Sequence, residues 1–224
     1  KNDLTVDYFF CFGENDENKI KKIIKGEILV LGSTINNEFN KFNMKNKKIK
    51  KLIFISSSAV HAVKLDDMIF RNLIRYKLKK NLKLIYLDKP QGHITKDLSP
   101  NLRKNQFLKQ YGKDFIYYSG KKFNDSYKLL NDDAAIIFAG STLGYEAFSS
   151  GNRCVSFNHQ KYHYDCRYPK SGPFWSQLKN FQSVKSLIDK VIEYNETEWN
   201  KIYFKYSKNI IFFDKKNYKK KKIN

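Results

Sequence analysis

The 224 residues suffice for one domain with a buried core, or for one domain and part of another, and 41% hydrophobic content with 18 Phe and 15 Tyr excludes a disordered chain. No run approaches the roughly 20 apolar residues of a membrane span, and no signal peptide is visible. The formal charge of +21 invites a nucleic-acid reading, but Lys, Asn and Ile are abundant together throughout, so the charge is compositional and no nucleic-acid partner is expected.

The chain opens on Lys1 and enters an apolar run almost at once, as though a fold were entered partway, and an upstream segment is expected. Apolar runs at 6–12 and 28–31 predict two strands, the second ending at Gly32 and Ser33. Residues 36–51 are polar, rich in Asn and Lys, and read as an interdomain linker. The expected division is therefore 1–48, the end of a truncated first domain with its linker; 49–212, a Rossmann-like domain with C-terminal helices; and 213–224, a basic tail. Strands at 52–56, 82–87, 115–118, 134–139 and 154–157 alternate with helical periodicity, the pattern of an α/β fold whose parallel sheet is covered by helices on both faces.

Among the helices, 66–80 places Ile69, Leu73 and Tyr76 on one stripe, with Phe70 and Ile74 beside it and Arg71, Arg75 and Lys79 outside. Residues 184–194 put Val184, Leu187, Ile188, Val191 and Ile192 at helical spacing behind Ser183, read as the N-cap. A last helix after Thr197 shows Trp199, Ile202, Tyr203 and Tyr206 to the body. Cys11 and Cys154 lie in strand-like runs and form no even framework with Cys166, which points to reduced thiols in a cytoplasmic protein. Only residues 215–222 concentrate positive charge, with Tyr218 as the lone aromatic. They read as a solvated tail, with peripheral contact to an anionic membrane at its inner face as the second reading.

The chemistry concentrates in residues 131–157, which parse as strand, tight turn, short helix, Gly stop, strand. Gly140 lets the chain turn at the carboxyl end of its strand, and Ser141 and Thr142 then set hydroxyls beside the free amides of a helix N-terminus, an arrangement that suits phosphate. Glu146 falls about one turn into the helix, within reach of a ribose diol, and Gly151 closes it. Gly, five residues, Glu, four residues, Gly arises by chance about 0.02 times in a chain of this composition.

This segment resembles the donor-site segment of GT-B glycosyltransferases, including the GlcNAc transferase that completes the peptidoglycan lipid precursor. The resemblance implies that Gly140, Ser141 and Thr142 lie at the donor phosphates, that Glu146 holds the ribose, and that Gly144 belongs to the same donor-binding segment. It also implies that the loop 115–121, with Ser119 and Gly120, lies near the base. Ser56, Ser57 and Ser58 stand where that family often has a Gly-rich loop, with Ser57, Ser58 and His61 as candidate donor contacts on that side. More broadly, Gly32 and Ser33, residues 53–58, and Gly172, Pro173, Phe174 and Trp175 resemble bacterial surface-carbohydrate, O-antigen-type biosynthesis proteins. Together these resemblances imply a metal-independent enzyme of GT-B type that needs no cofactor. It would move sugar from a nucleotide-sugar donor to a saccharide or lipid-linked saccharide acceptor. The acceptor base would come from the other domain, so no catalytic residue is assigned.

Other constellations are weaker. His159, His163 and Cys166 lack a fourth ligand at a matching spacing, so no metal is expected. Arg167 and Lys170 could offset diphosphate charge or simply be solvated, His61 is as well explained by a structural role, and Phe174 and Trp175 form either a substrate-facing lid or a core plug. No nucleophile elbow or Walker-type Lys is present, which excludes hydrolase and kinase readings. Two rivals stay open: a nucleotide-sugar epimerase of the same architecture, and a non-catalytic basic module for RNA or acidic membranes.

Overall fold

The computed structural model of the chain describes residues 4–39, 48–57, 63–88, 100–120, 125–130, 133–158 and 171–213. The first apolar runs form a small βαβ unit. Leu4–Cys11 (β1) and Ile24–Val30 (β2) pair in parallel across Glu14–Ile20 (α1). Thr34–Phe39 (α2) follows, so the polar stretch read as a linker begins inside a helix, with Asn36 and Asn37 buried. The far end of that stretch enters the next strand, and residues 40–47 lie outside the described residues.

The remaining chain builds a six-stranded, all-parallel sheet. In chain order it runs Lys51–Ile55 (β3), Val63–Lys80 (α3), Lys83–Asp88 (β4), Pro100–Tyr111 (α4), Ile116–Ser119 (β5), Asp125–Leu129 (α5), Ala134–Phe138 (β6), Thr142–Ser149 (α6), Cys154–Asn158 (β7), Trp175–Gln177 (β8), Phe181–Glu193 (α7) and Glu196–Ile210 (α8). The spatial order is β5-β4-β3-β6-β7-β8, the doubly wound arrangement in which the strand order reverses between β3 and β6. Leu52 to Ile55 of β3 and Ala135 to Phe138 of β6 are at most 1% exposed. Such runs carry no polar alternation because both faces of a central parallel strand must be covered. Each fully buried Ile or Phe contributes on the order of 1.5–3 kcal/mol.

Cover comes from two helix pairs, α3 with α7 and α6 with α8. Because parallel crossovers are right-handed, strands added in opposite directions from the centre place α3 and α6 on opposite faces. Tyr76 Oη donates to Asp189 at 2.7 Å and ties α3 to α7. The buried Arg153 donates to the carbonyls of Val191, Ile192 and Tyr194, closing the C-terminus of α7 where a cation suits the helix dipole. The end of α8 returns to the first unit, where the Phe212 amide donates to the Phe12 carbonyl at 2.7 Å.

One local reading changes and one open alternative is decided. The N-cap of α7 is Asn180: its side chain accepts from the Ser183 amide at 2.9 Å, and the Ser183 hydroxyl sits on the other side of the same capping box. Phe174 and Trp175 are 0% and 1% exposed and lead into β8, so they plug the core and are not a lid. The strand itself is three residues long, too short to show a period. No described helix is long and apolar enough to cross a membrane, and the basic tail lies outside the described residues.

Candidate donor site at the strand-order reversal

In open α/β sheets, ligands bind outside the carboxyl ends of the strands where the order reverses. Here that crevice lies between the ends of β3 and β6, so it is bordered by Ser56 and Ser57 on one side and Ala139 and Gly140 on the other. Gly140 takes φ +65, a left-handed turn that L side chains resist. The chain then passes through Ser141, the extended N-cap of α6.

The two ends of α6 are treated differently. At its C-terminus, the Gly151 amide donates to Phe148 at 2.9 Å and the Asn152 amide to Ala147 at 3.1 Å, the paired bonds of a Schellman closure. The hydroxyls of Ser149 and Ser150 both donate to the Glu146 carbonyl, at 2.9 and 2.8 Å. At its N-terminus no side chain caps the helix. The Ser141 hydroxyl, on a residue 3% exposed, has no hydrogen-bond partner among the described residues. The first-turn amides have no carbonyl to bind within the helix. Free amides, the positive end of the helix dipole and a hydroxyl unpartnered among the described residues therefore lie together at this turn, an arrangement able to hold an anion. Thr142, beside them, is exposed.

Gly144 serves packing. A Cβ there would lie 2.2 Å from Cγ of Phe138, so the missing side chain lets α6 sit directly on β6.

Glu146 is 5% exposed, and its carboxylate faces protein hydroxyls. Ser33, in the turn after β2, donates to Oε1 at 2.5 Å, and Tyr127 of α5 donates to Oε2 at 2.7 Å. Burial raises the carboxyl above its ordinary range, and these two hydrogen bonds oppose the shift. Burial, together with the facing carboxylate, pushes the Tyr127 phenol up as well. Nearby, the Asn36 side chain donates to Ser149 Oγ at 2.9 Å and accepts from Ser150 Oγ at 3.2 Å. The first unit is thus joined to the C-terminal half of α6.

Across the crevice, Asp66 Oδ2 accepts from Ser56 Oγ at 3.1 Å, the Ser57 amide at 2.8 Å and Ser57 Oγ at 3.0 Å. Ser57 therefore holds the start of α3. Ser119 ends β5 half-buried, and Gly120 after it is buried. Beside them Tyr117 Oη donates to Asp88 Oδ2 at 2.5 Å at the end of β4. Ser58 and His61 lie outside the described residues, as do His159, His163, Cys166, Arg167 and Lys170. Among the described residues no three His, Cys, Asp or Glu side chains are grouped to hold a metal ion. Ser33, Tyr127 and Asp66 were not among the residues the sequence singled out for this site. Only Gly32 and Ser33, a small pair directly after a strand, gave a signal.

Solved structures share this architecture. The UDP-GlcNAc 2-epimerase of Methanocaldococcus jannaschii, in complex with UDP-GlcNAc and UDP, is 13% identical over 96% of this chain and 59% of its own, with a TM-score of 0.60. MnaA of S. aureus, in a co-structure with UDP, is 14% identical over 96% and 57%, with a TM-score of 0.56. The wall teichoic acid polymerase TagF is 14% identical over 96% and 54%, with a TM-score of 0.54. At these identities the likeness is one of fold, an α/β architecture of GT-B type, and the chain spans somewhat over half the length of each. Among curated proteins none matches the sequence. A family model described as "putative O-antigen biosynthesis protein" matches residues 1–88 and 61–223, and the chain belongs to that family.

Proposed function

We propose that the chain binds the diphosphate of a nucleotide-sugar donor at the β6–α6 turn and forms the donor half of a glycosyltransferase of surface-polysaccharide assembly. The observation that carries this reading is the buried Ser141 hydroxyl, unpartnered among the described residues, at the N-terminus of α6, a helix whose other end is closed by the protein itself. In this reading Ser141, Thr142 and the first-turn amides hold phosphate oxygens, and the helix dipole offsets the charge of the departing diphosphate without a metal. Glu146 takes the ribose hydroxyls, and the turn at Ser119 and Gly120 lies near the base. The acceptor is a saccharide or lipid-linked saccharide, and its base comes from residues outside this site. Membership in the O-antigen family supports the polysaccharide setting. A cytoplasmic location, with the basic tail resting on anionic lipid at the inner face of the membrane, fits such an acceptor and belongs to the same proposal.

The test is product analysis with labelled nucleotide sugars, with and without a lipid-linked saccharide acceptor. Transfer of label to the acceptor is the expected result. Conversion of the donor to an epimer without acceptor would overturn it in favour of an epimerase. Salt-sensitive binding to RNA or anionic vesicles that survives Glu146→Ala, with no nucleotide-sugar binding in either protein, would overturn it in favour of a basic module.

A further inference from the structure

The Glu146 carboxylate receives one hydroxyl on each oxygen, Ser33 at 2.5 Å on Oε1 and Tyr127 at 2.7 Å on Oε2. Two hydroxyl donors, one to each oxygen of a carboxylate, is the pattern that a vicinal diol makes with the same group. The protein therefore offers Glu146 the hydrogen bonds that a ribose would offer it. Burial makes the arrangement exclusive: with the residue 5% exposed, no ribose reaches the carboxylate while both hydroxyls and their surroundings stay in place.

The two hydroxyls differ in how they are held. Tyr127 belongs to α5, is 3% exposed, and comes from the same sheet-and-helix body as Glu146. Ser33 is 113 residues away in sequence and belongs to the first unit. It sits between β2 and α2, where its hydroxyl also accepts from the Asn36 amide at 3.2 Å and its carbonyl from the Asn37 amide at 2.9 Å. A displacement that frees Glu146 therefore moves Ser33 and the start of α2, and with it the Asn36 bonds to Ser149 and Ser150.

We propose that Ser33 holds the place of a ribose hydroxyl on Glu146, so that the first unit and the nucleotide compete for the same carboxylate. The inference rests on the donor-site reading above. It makes Ser33 a specificity device: a ligand releases it only by supplying hydroxyls of its own, and a nucleotide lacking them leaves Ser33 bonded. A hydrogen bond to a buried charge is strong enough for such competition to be measured.

The experiment is calorimetric titration of the wild-type chain, Ser33→Ala and Glu146→Gln with whichever of UDP, CDP and GDP the wild type binds tightest, and with its 2′,3′-dideoxy analogue. Removing the competitor should tighten the ribonucleotide up to about tenfold in Ser33→Ala and leave the dideoxy analogue unchanged. A merely structural role for Ser33 would shift both ligands alike. That result, or weaker or equal ribonucleotide binding in Ser33→Ala, overturns the proposal while the donor-site reading stands. Nucleotide affinity that is the same in Glu146→Gln as in the wild type overturns the donor-site reading itself. Hydrogen exchange on the wild-type protein supplies a check that needs no variant. Saturating ribonucleotide should speed exchange at the amides of Asn36 and Asn37, and the dideoxy analogue should not; exchange that is unchanged or slower with ribonucleotide also overturns the exchange of Ser33 for ribose.

Discussion

Two strand-to-helix turns border the same crevice and are built in opposite ways. After β3, Ser56 and Ser57 direct two hydroxyls and an amide onto one oxygen of the buried Asp66. After β6, Gly140 turns the chain at φ +65 and Ser141 carries a buried hydroxyl that meets no acceptor among the described residues. Both turns carry serines at the carboxyl end of a central strand, so residue type alone does not separate them. Charge does. The β3 turn supplies its own anion and would repel another, whereas the β6 turn presents a helix N-terminus and a hydroxyl that has no acceptor among the described residues. The first is scaffold and the second is the candidate binding surface.

The largest expected effect follows from removing the anion on the scaffold side. Asp66→Ala strands three donors at a buried position and should cost about 3 kcal/mol of stability, read as a shift in denaturation midpoint at constant slope. Nucleotide affinity of the folded fraction should stay near wild type. A loss of affinity larger than the loss of stability would place Asp66 in the binding surface and dissolve the distinction. Gly140→Val attacks the other turn, where a β-branched side chain in the left-handed region should cost about 2 kcal/mol. Here diphosphate binding should disappear as well, since the amides behind the turn would be redirected.

The serines sharpen the contrast at smaller amplitude. Ser57→Ala removes a bonded hydroxyl and should cost about 1 kcal/mol, with unchanged affinity for a nucleoside diphosphate. Ser141→Ala removes a hydroxyl with no partner among the described residues, so stability should stay within about 0.5 kcal/mol. Its diphosphate affinity should fall about tenfold. Thermal melts and titrations on the two variants side by side check both halves. Equal stability losses would mean that Ser141 has an internal partner after all.

The sheet was legible because its central strands are buried on both faces. Uninterrupted runs such as 52–55 and 134–138 can be read without knowing their neighbours. Elements that bury little left no such trace. Helix α1, Glu14–Ile20, has no buried residue, so it shows no apolar stripe, and β8 is three residues long. The β6–α6 turn was legible for a different reason, since a glycine turn, cap hydroxyls, a helix and a second glycine are local chemistry with fixed spacing. What surrounds Glu146 was not, because Ser33 and Tyr127 reach it from 113 and 19 positions away. Asp66 looked like the first turn of an amphipathic helix, and only the fold brings Ser56 and Ser57 onto it.

The smallest effect concerns the carboxylate that the sequence picked out and the fold then buried. Unfolded, Glu146 titrates near its ordinary 4.5; folded, burial holds its proton to higher pH. Between those two values the folded chain binds more protons than the unfolded one, so stability falls as pH rises through that window. The contribution is complete below the unfolded value and lost above the folded one. Glu146→Gln removes this dependence while keeping the shape of the side chain. Its melting temperature relative to wild type should therefore climb from about pH 4 upward and level off once wild-type Glu146 is ionised in the fold. Any constant offset from the new amide's hydrogen bonds cancels, because only the change with pH is informative. A difference that stays flat, or declines with rising pH, would mean that Ser33 and Tyr127 fully compensate the buried charge. Glu146 would then resemble Asp66, a carboxylate held by the scaffold's own hydroxyls, and the contrast between the two sides of the crevice would rest on Ser141 alone.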